Sequence, residues 1–292
     1  FRRRRKGDSR ISGLPVTGGA FPRPPEAPFP LSTNYEETML LKDKKCLIFG
    51  VANNRSIAYG IASCFKEQGA RLAFSYAGEA IHKRVEPISE ELGGEFIFPC
   101  DVTSDEDIAA AAALVKEKWG SVDVLVHSVA FANREDLTKR FIETSRDGFA
   151  TALNVSAYSL TALCHAFEPM LNPGASVLTM TYYGAQKIIT NYNVMGVAKA
   201  ALEASVRYLS VDLGAKDVRI NAISAGPLKT LASSGISDFK QIFNHIEEHA
   251  PLRRNVTTED VGKAAVFLAS DLGSAVTGEI MFVDCGYNNL GI

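Results

Sequence analysis

From Lys45 onward the chain alternates short apolar runs with amphipathic or Ala-rich stretches, and this alternation restricts the fold more than any other feature. Strands are expected at 46–50, 71–76, 95–100, 122–128, 175–181, 218–224 and 280–283. Helices are expected at 56–68, 79–92, 105–119, 144–168, 191–214 and 258–270. Each connection between successive strands holds a dozen or more residues, the length a parallel crossover needs. The reading is an α/β fold, a single doubly wound domain over residues 39–292 with a seven-stranded parallel sheet.

Composition agrees and removes several classes. With 46% hydrophobic and 22% charged residues the chain has the makeup of an ordinary folded protein. No apolar run approaches the ~20 residues that cross a bilayer, so no membrane partner is expected. A net charge of −2 gives no reason to expect nucleic acid. The five cysteines, Cys46, Cys64, Cys100, Cys164 and Cys285, are scattered and form no C-x-x-C pair, which fits a reducing compartment and buried thiols rather than disulfides or zinc. Cytoplasmic placement follows. Residues 1–38 stand apart: a basic run (Arg2 to Lys6), Gly18-Gly19 and a Pro-rich tract with no periodicity read as a disordered extension. Its Arg-rich start also has the makeup of an organelle-targeting segment.

Ligands of a doubly wound sheet lie outside the carboxyl ends of its strands, so chemistry is sought in the loops after Phe49, Tyr76, Cys100, Ser128, Thr181 and Ser224. The first of these runs from Gly50 through Ser56-Ile57-Ala58-Tyr59-Gly60 into a helix, where a phosphate would meet backbone N–H groups and the positive end of the helix dipole. It keeps only Gly50 and Gly60 of a Rossmann-type glycine fingerprint. After the second strand, Ala77-Gly78 offers neither an acidic residue for a ribose diol nor a base for a 2′-phosphate. The missing base leans the reading toward NADH, with NADPH less favoured. Asp101-Val102 can meet an adenine edge, and Ser128-Val129-Ala130 lets the backbone pass close to a cofactor.

Catalytic candidates concentrate between Thr181 and Lys199. A tyrosine and a lysine on one face are a plausible hydride-transfer pair, because an ammonium lowers a phenol pKa and can hold a ribose hydroxyl. Two pairings compete. Tyr183 and Lys187 have the Tyr-x3-Lys spacing but fall in a Gly-containing loop, whereas Tyr192 and Lys199 lie seven apart on an expected helix, a spacing that returns to nearly the same face. Separately, His245-Ile246-Glu247-Glu248-His249 matches an H-x-x-E-H zinc pattern but has no evident third ligand.

Residues 39–292 resemble the enoyl-acyl carrier protein reductases of bacterial type II fatty acid synthesis, a divergent branch of the short-chain dehydrogenases/reductases. The likeness rests on Gly50-Val51-Ala52 with Ser56 to Gly60, Asp101-Val102, His127-Ser128, Tyr182 with Gly184-Ala185, Asn191 to Gly196, Ala198-Lys199-Ala200, and Arg219 to Pro227. The Tyr-x6-Lys spacing of Tyr192 and Lys199 separates this branch from the Tyr-x3-Lys majority. The resemblance implies NADH-dependent reduction of the trans-2 double bond of enoyl thioesters carried on acyl carrier protein, in a homotetramer. It makes Tyr192 the catalytic tyrosine, Lys199 the ribose-binding lysine and Tyr182 a second active-site tyrosine. It assigns the cofactor to Gly50, Ser56, Ile57, Asp101, Val102, Ser128, Val129, Ala130, Lys199 and the run Leu228-Lys229-Thr230-Leu231-Ala232. Ala132, Tyr182, Met195 and Phe239 would line the acyl pocket, and the segment 230–249 would act as a lid. Two positions depart from the family pattern: many members have Gln where Ala77 stands and Gly where Ala130 stands. A carbonyl reductase of the same fold and a cofactor-binding regulator are the rival readings.

Overall fold

The computed structural model describes residues 39–230 and 239–291. The expected extension over 1–38, the start of the expected lid with Leu231 and Ala232, and the side chain of Phe239 lie outside the described residues. The strands are β1 (Lys45–Phe49), β2 (Arg71–Tyr76), β3 (Phe96–Pro99), β4 (Val122–His127), β5 (Leu171–Thr181), β6 (Arg219–Ala225) and β7 (Ile280–Val283). All pair in parallel, in the order β3-β2-β1-β4-β5-β6-β7. The expected seven-stranded, doubly wound sheet is therefore what the chain forms. Its order reverses between β1 and β4, where such sheets open a crevice for ligands.

Strands buried on both faces lose the polar alternation of a half-exposed strand, and β1 illustrates why. Cys46 and Ile48 enter one core with α1 (Ile57–Glu67), α2 (Glu79–Leu92) and α9 (Thr258–Ala269). Leu47 and Phe49 enter the other, with α3 (Asp105–Trp119), α6 (Ser159–Phe167) and α7 (Asn193–Gly214). The Phe49 ring meets Phe98 and Phe167 edge-on at 5.7 and 5.8 Å, a geometry that adds to simple burial. Helix starts follow local chemistry. The Ser104 hydroxyl accepts from the Asp107 N–H at the head of α3, and Thr257 with Asp260 forms a reciprocal capping box on α9.

One expected element divides. The run 144–168 is not a single helix but α5 (Arg146–Leu153), a π-helical turn at Asn154–Tyr158, then α6 and a 3-10 turn at Glu168–Met170. Apolar periodicity does not register a one-residue widening of a helical turn, and π turns of this kind gather at functional sites. Here the widening aims Ser156 at the loop after β4, where its hydroxyl accepts from the Phe131 N–H (2.9 Å) and donates to the Phe131 carbonyl (3.1 Å). Two further differences are a short α4 (Arg134–Thr138) and an earlier start of β5, whose pairing with β4 shifts register between Val122 and Val124.

Candidate active site

At the switch point Gly50 is indispensable for two independent reasons. Its φ of +99° disfavours any L side chain, and a Cβ there would lie 2.2 Å from the Ser128 carbonyl oxygen. The Ser128 N–H donates to the Phe49 carbonyl at 3.0 Å, so the ends of β1 and β4 are stitched together beneath the crevice. The Ser56 hydroxyl donates to the Asn53 carbonyl at 2.5 Å and accepts weakly from the Ala52 N–H. It shapes the turn rather than capping α1, whose first N–H groups keep no side-chain partner and present the positive end of the helix dipole. Ile57 packs beneath against the core.

Around this crevice the other expected cofactor residues fall at strand ends. The Asp101 carboxylate accepts from the Thr103 N–H and hydroxyl, an Asx-type turn that orients the loop after β3, while Val102 is buried. Val129 leans on the core and Ala130 is exposed. Ala77 and Gly78 are exposed after β2, and on the helix that follows Lys83 pairs with Glu79 while the His82 ring lies 4.5 Å from that of Tyr76 at a tilt of 46°. Leu228 is buried against the core, and Lys229 lies over the Phe243 ring at 4.1 Å.

The two tyrosine–lysine pairings resolve differently. Tyr183 turns toward Phe282 and Tyr287, its hydroxyl reaching the Asn288 carbonyl at 3.5 Å, and Lys187 is exposed. Tyr192 and Lys199 are both buried, Tyr192 at the N-cap of α7 and Lys199 within its second turn. The flanking Asn191 and Asn193 both take positive φ, 62° and 38°, and the Asn193 amide donates to the Leu137 and Lys139 carbonyls, pinning the start of α7 to the end of α4. Gly184 makes room: a Cβ there would come within 2.5 Å of the Tyr192 ring. Tyr182 meets Tyr192 edge-on at 5.0 Å, and Ala132, Tyr182, Met195 and Tyr192 join one apolar cluster with Leu137 and Ile189.

The electrostatics correct one expectation. Burial dominates at Tyr192 and pushes its phenol well above the usual range, with Tyr182 and Glu203 adding to the rise and no lowering by an ammonium. Tyr192 is thus a neutral hydrogen-bond donor at every working pH. Burial likewise lifts the Tyr182 phenol to about 12. Lys199 donates to the Met180 carbonyl at 2.7 Å, and desolvation draws its ammonium down to about 8 against the opposing pull of Glu203. Nearby, His127 is fully buried, with Nδ1 2.8 Å from the Thr179 hydroxyl and Nε2 2.8 Å from the Ser159 hydroxyl. Ser159 spends its proton on the Val155 carbonyl, so Nε2 must donate to it and Thr179 must donate to Nδ1. Burial first, then the Lys199 charge, lowers His127 to about 3 and keeps it neutral.

A cavity of about 450 Å³ opens beside Tyr182, walled by Ile189, Ser224, Ile242, Ile246 and Tyr287. The Ser224 hydroxyl is buried there with no hydrogen-bond partner among the described residues. Ile242 and Ile246 belong to α8 (Phe239–His249), the described part of the expected lid, which docks on the core through them. On the same helix His245 and His249 stack at 4.1 Å, and no group of three metal-ligating residues occurs among the described residues. Sequence reasoning missed Ser224 and Glu203 as site residues. Ser224 closes the expected strand 218–224, next to a loop marked for inspection, whereas Glu203, one helical turn beyond Lys199, carries no signal of its own until the packing of α7 buries it.

Comparison with known proteins decides the family. Residues 50–288 match the family model described as enoyl-(acyl carrier protein) reductase. The chain belongs to the enoyl-acyl carrier protein reductase family. Among its curated relatives, an enoyl-[acyl-carrier-protein] reductase [NADH] of Rhizobium meliloti is 53% identical, the match covering 87% of this chain and 93% of that one. The corresponding reductase [NADH] of Rickettsia typhi is 54% identical, over 87% and 97%. Among solved structures, the Bacillus cereus reductase with NADP+ and indole naphthyridinone has a TM-score of 0.85 at 50% identity, covering 87% of this chain and 99% of that one. The Anaplasma phagocytophilum reductase in complex with NAD gives 0.83 at 47%, covering 87% and 95%. A nicotinamide dinucleotide suits the features found in this member: a backbone cradle only glycine permits at Gly50, a helix head at α1 with no side-chain cap, and a buried ammonium at Lys199.

Proposed function

We propose that the protein is an NADH-dependent enoyl-acyl carrier protein reductase, saturating the trans-2 double bond of enoyl thioesters in fatty acid elongation. The observation that carries this reading is that Tyr192 and Lys199 are both buried at the start of one helix, Tyr192 in an apolar cluster that shares Tyr182 and Ile189 with the cavity wall. NADH, when bound, supplies the hydride that adds to the β-carbon. As negative charge gathers on the thioester oxygen, Tyr192 donates a hydrogen bond to the forming enolate, and a desolvated donor fixed in place acts far more strongly than one in water. Lys199, held by the Met180 carbonyl, would offer its remaining N–H groups to the nicotinamide ribose and so orient the cofactor. Ala132, Met195 and Tyr182 exclude water from the acyl chain. Tyr182 backs the Tyr192 ring edge-on. Gly50, Ser56, Ile57, Asp101, Val102, Ser128, Val129, Ala130 and the run from Leu228 to Thr230 would form the cofactor's surround. NADH is assigned over NADPH because neither Ala77 nor Gly78 is a base and Lys83, on the helix that follows, pairs with Glu79.

The partner is acyl carrier protein bearing the enoyl thioester. The enzyme is read as a homotetramer, supported by apolar side chains left bare on single-copy helices: Phe149 on α5, Tyr158 in the π turn, and Tyr208 with Val211 on one face of α7. A cytoplasmic setting is supported by five buried, free cysteines. No described helix is long and apolar enough to cross a membrane.

The test follows loss of NADH absorbance with a trans-2-enoyl thioester, beside NADPH and a ketoacyl thioester. The reading expects enoyl-dependent oxidation of NADH that falls ~10²–10³-fold in Tyr192→Phe, the usual cost of removing one oxyanion donor. Turnover of the ketoacyl substrate alone would overturn it in favour of a carbonyl reductase.

A further inference from the structure

Glu203 is a buried carboxylate on α7 one helical turn beyond Lys199, and its partners lie on the strand end and turn opposite. One oxygen accepts from the Thr181 hydroxyl at 2.9 Å and the other from the Gln186 side-chain amide at 3.3 Å. Thr181 and Gln186 bracket the segment that contains Tyr182 and Gly184, the glycine whose lack of a Cβ lets Tyr192 approach. A carboxylate is costly to bury, and this one closes the gap between the end of β5 and the helix that carries the reacting pair.

We propose that Glu203 is a positioning residue of the reductase site, holding the Thr181–Gln186 segment, and with it Tyr182 and Gly184, against the helix that carries Tyr192 and Lys199. The proposal rests on the reading of the protein as an NADH-dependent enoyl reductase. The titratable groups around Glu203 and Lys199 are Tyr192 on α7 itself, His127 on β4 and Tyr182 after β5. His127 is neutral and both phenols are protonated in the working range, so Glu203 supplies the negative charge that offsets desolvation of Lys199. Removing that charge while keeping the side chain's shape lowers the pH at which Lys199 deprotonates.

The first readout is the Lys199 ¹³Cε resonance titrated in the cofactor-free protein, assigned with Lys199→Arg, for the wild type and Glu203→Gln. The midpoint is expected to fall by about one pH unit or more in the variant, the effect of one nearby opposite charge, and an unchanged midpoint would overturn the charge role. NADH affinity, read by fluorescence, is expected to drop severalfold in Glu203→Gln at pH 8 and to recover toward wild type at pH 6. In a Lys199→Arg background, where the cation never titrates, Glu203→Gln should no longer shift NADH binding with pH, and a shift that persists would count against the proposal. Gln186→Ala, on an exposed side chain, serves where Glu203→Gln does not fold. It is expected to leave the Lys199 midpoint in place while raising KM for the enoyl thioester severalfold, and an unchanged KM would overturn the positioning role. A protein that showed the lysine shift yet oxidised no NADH with enoyl thioesters would sink the assigned reaction and leave the Glu203–Lys199 coupling standing.

Discussion

His127 shows how a single buried side chain ties stability to pH. It stays neutral down to about 3 in the folded protein, whereas in the unfolded chain it takes up a proton near 6.5. The unfolded state therefore binds more protons between those values, and stability is lost as pH falls through 6.5 toward 3. Urea unfolding of the wild type and His127→Gln is expected to show the wild type losing about 2 kcal/mol more than the variant between pH 7 and 5. Equal losses would mean the imidazole is not held neutral. At this scale the sequence was uneven. The seven-residue spacing of Tyr192 and Lys199 was legible because helical geometry converts spacing into facing. Glu203 was not, because a glutamate on a helix is an ordinary surface residue until the packing of α7 on the sheet buries it. The raised phenol pKa of Tyr192 is illegible for a related reason: the burial that causes it is a property of the folded surroundings.

The elements carry their own consequences. The π turn between α5 and α6 directs Ser156 at both backbone groups of Phe131, and Ala132, next along that loop, belongs to the apolar cluster around Tyr192. Ser156→Ala removes both part-buried hydrogen bonds to the Phe131 backbone and is expected to cost about 1 kcal/mol in urea unfolding. The loosened wall should also raise KM for enoyl thioesters more than it lowers kcat. At the crevice, Gly50→Ala forces a side chain onto the Ser128 carbonyl. We expect more than a tenfold loss of NADH affinity by fluorescence titration, and affinity retained at the wild-type level would show that the β1 turn does not cradle the cofactor. The expected helix over 144–168 concealed the π turn because the apolar pattern runs through it unbroken, and the irregular start of β5 was hidden by Pro173 and Gly174, which ordinarily mark a loop.

For the whole molecule, the alternation of strand and helix patterns was enough to specify the parallel sheet, since connections of that length leave no antiparallel alternative of comparable simplicity. What alternation does not convey is assembly. Tyr208 and Val211, three residues apart on α7, are 81% and 74% exposed and form the apolar face on which the proposed tetramer rests. Light scattering behind size exclusion is expected to give a tetramer for the wild type and smaller species for Tyr208→Glu with Val211→Glu, while a monomeric wild type would remove this part of the account. The central claim, hydride transfer to the β-carbon of an enoyl thioester in the Tyr192 site, is tested most directly by turnover with NADH deuterated at C4 of the nicotinamide. The account predicts a saturated acyl thioester with a single deuterium on its β-carbon, whereas a product without deuterium there, or one reduced at a carbonyl carbon, would contradict it.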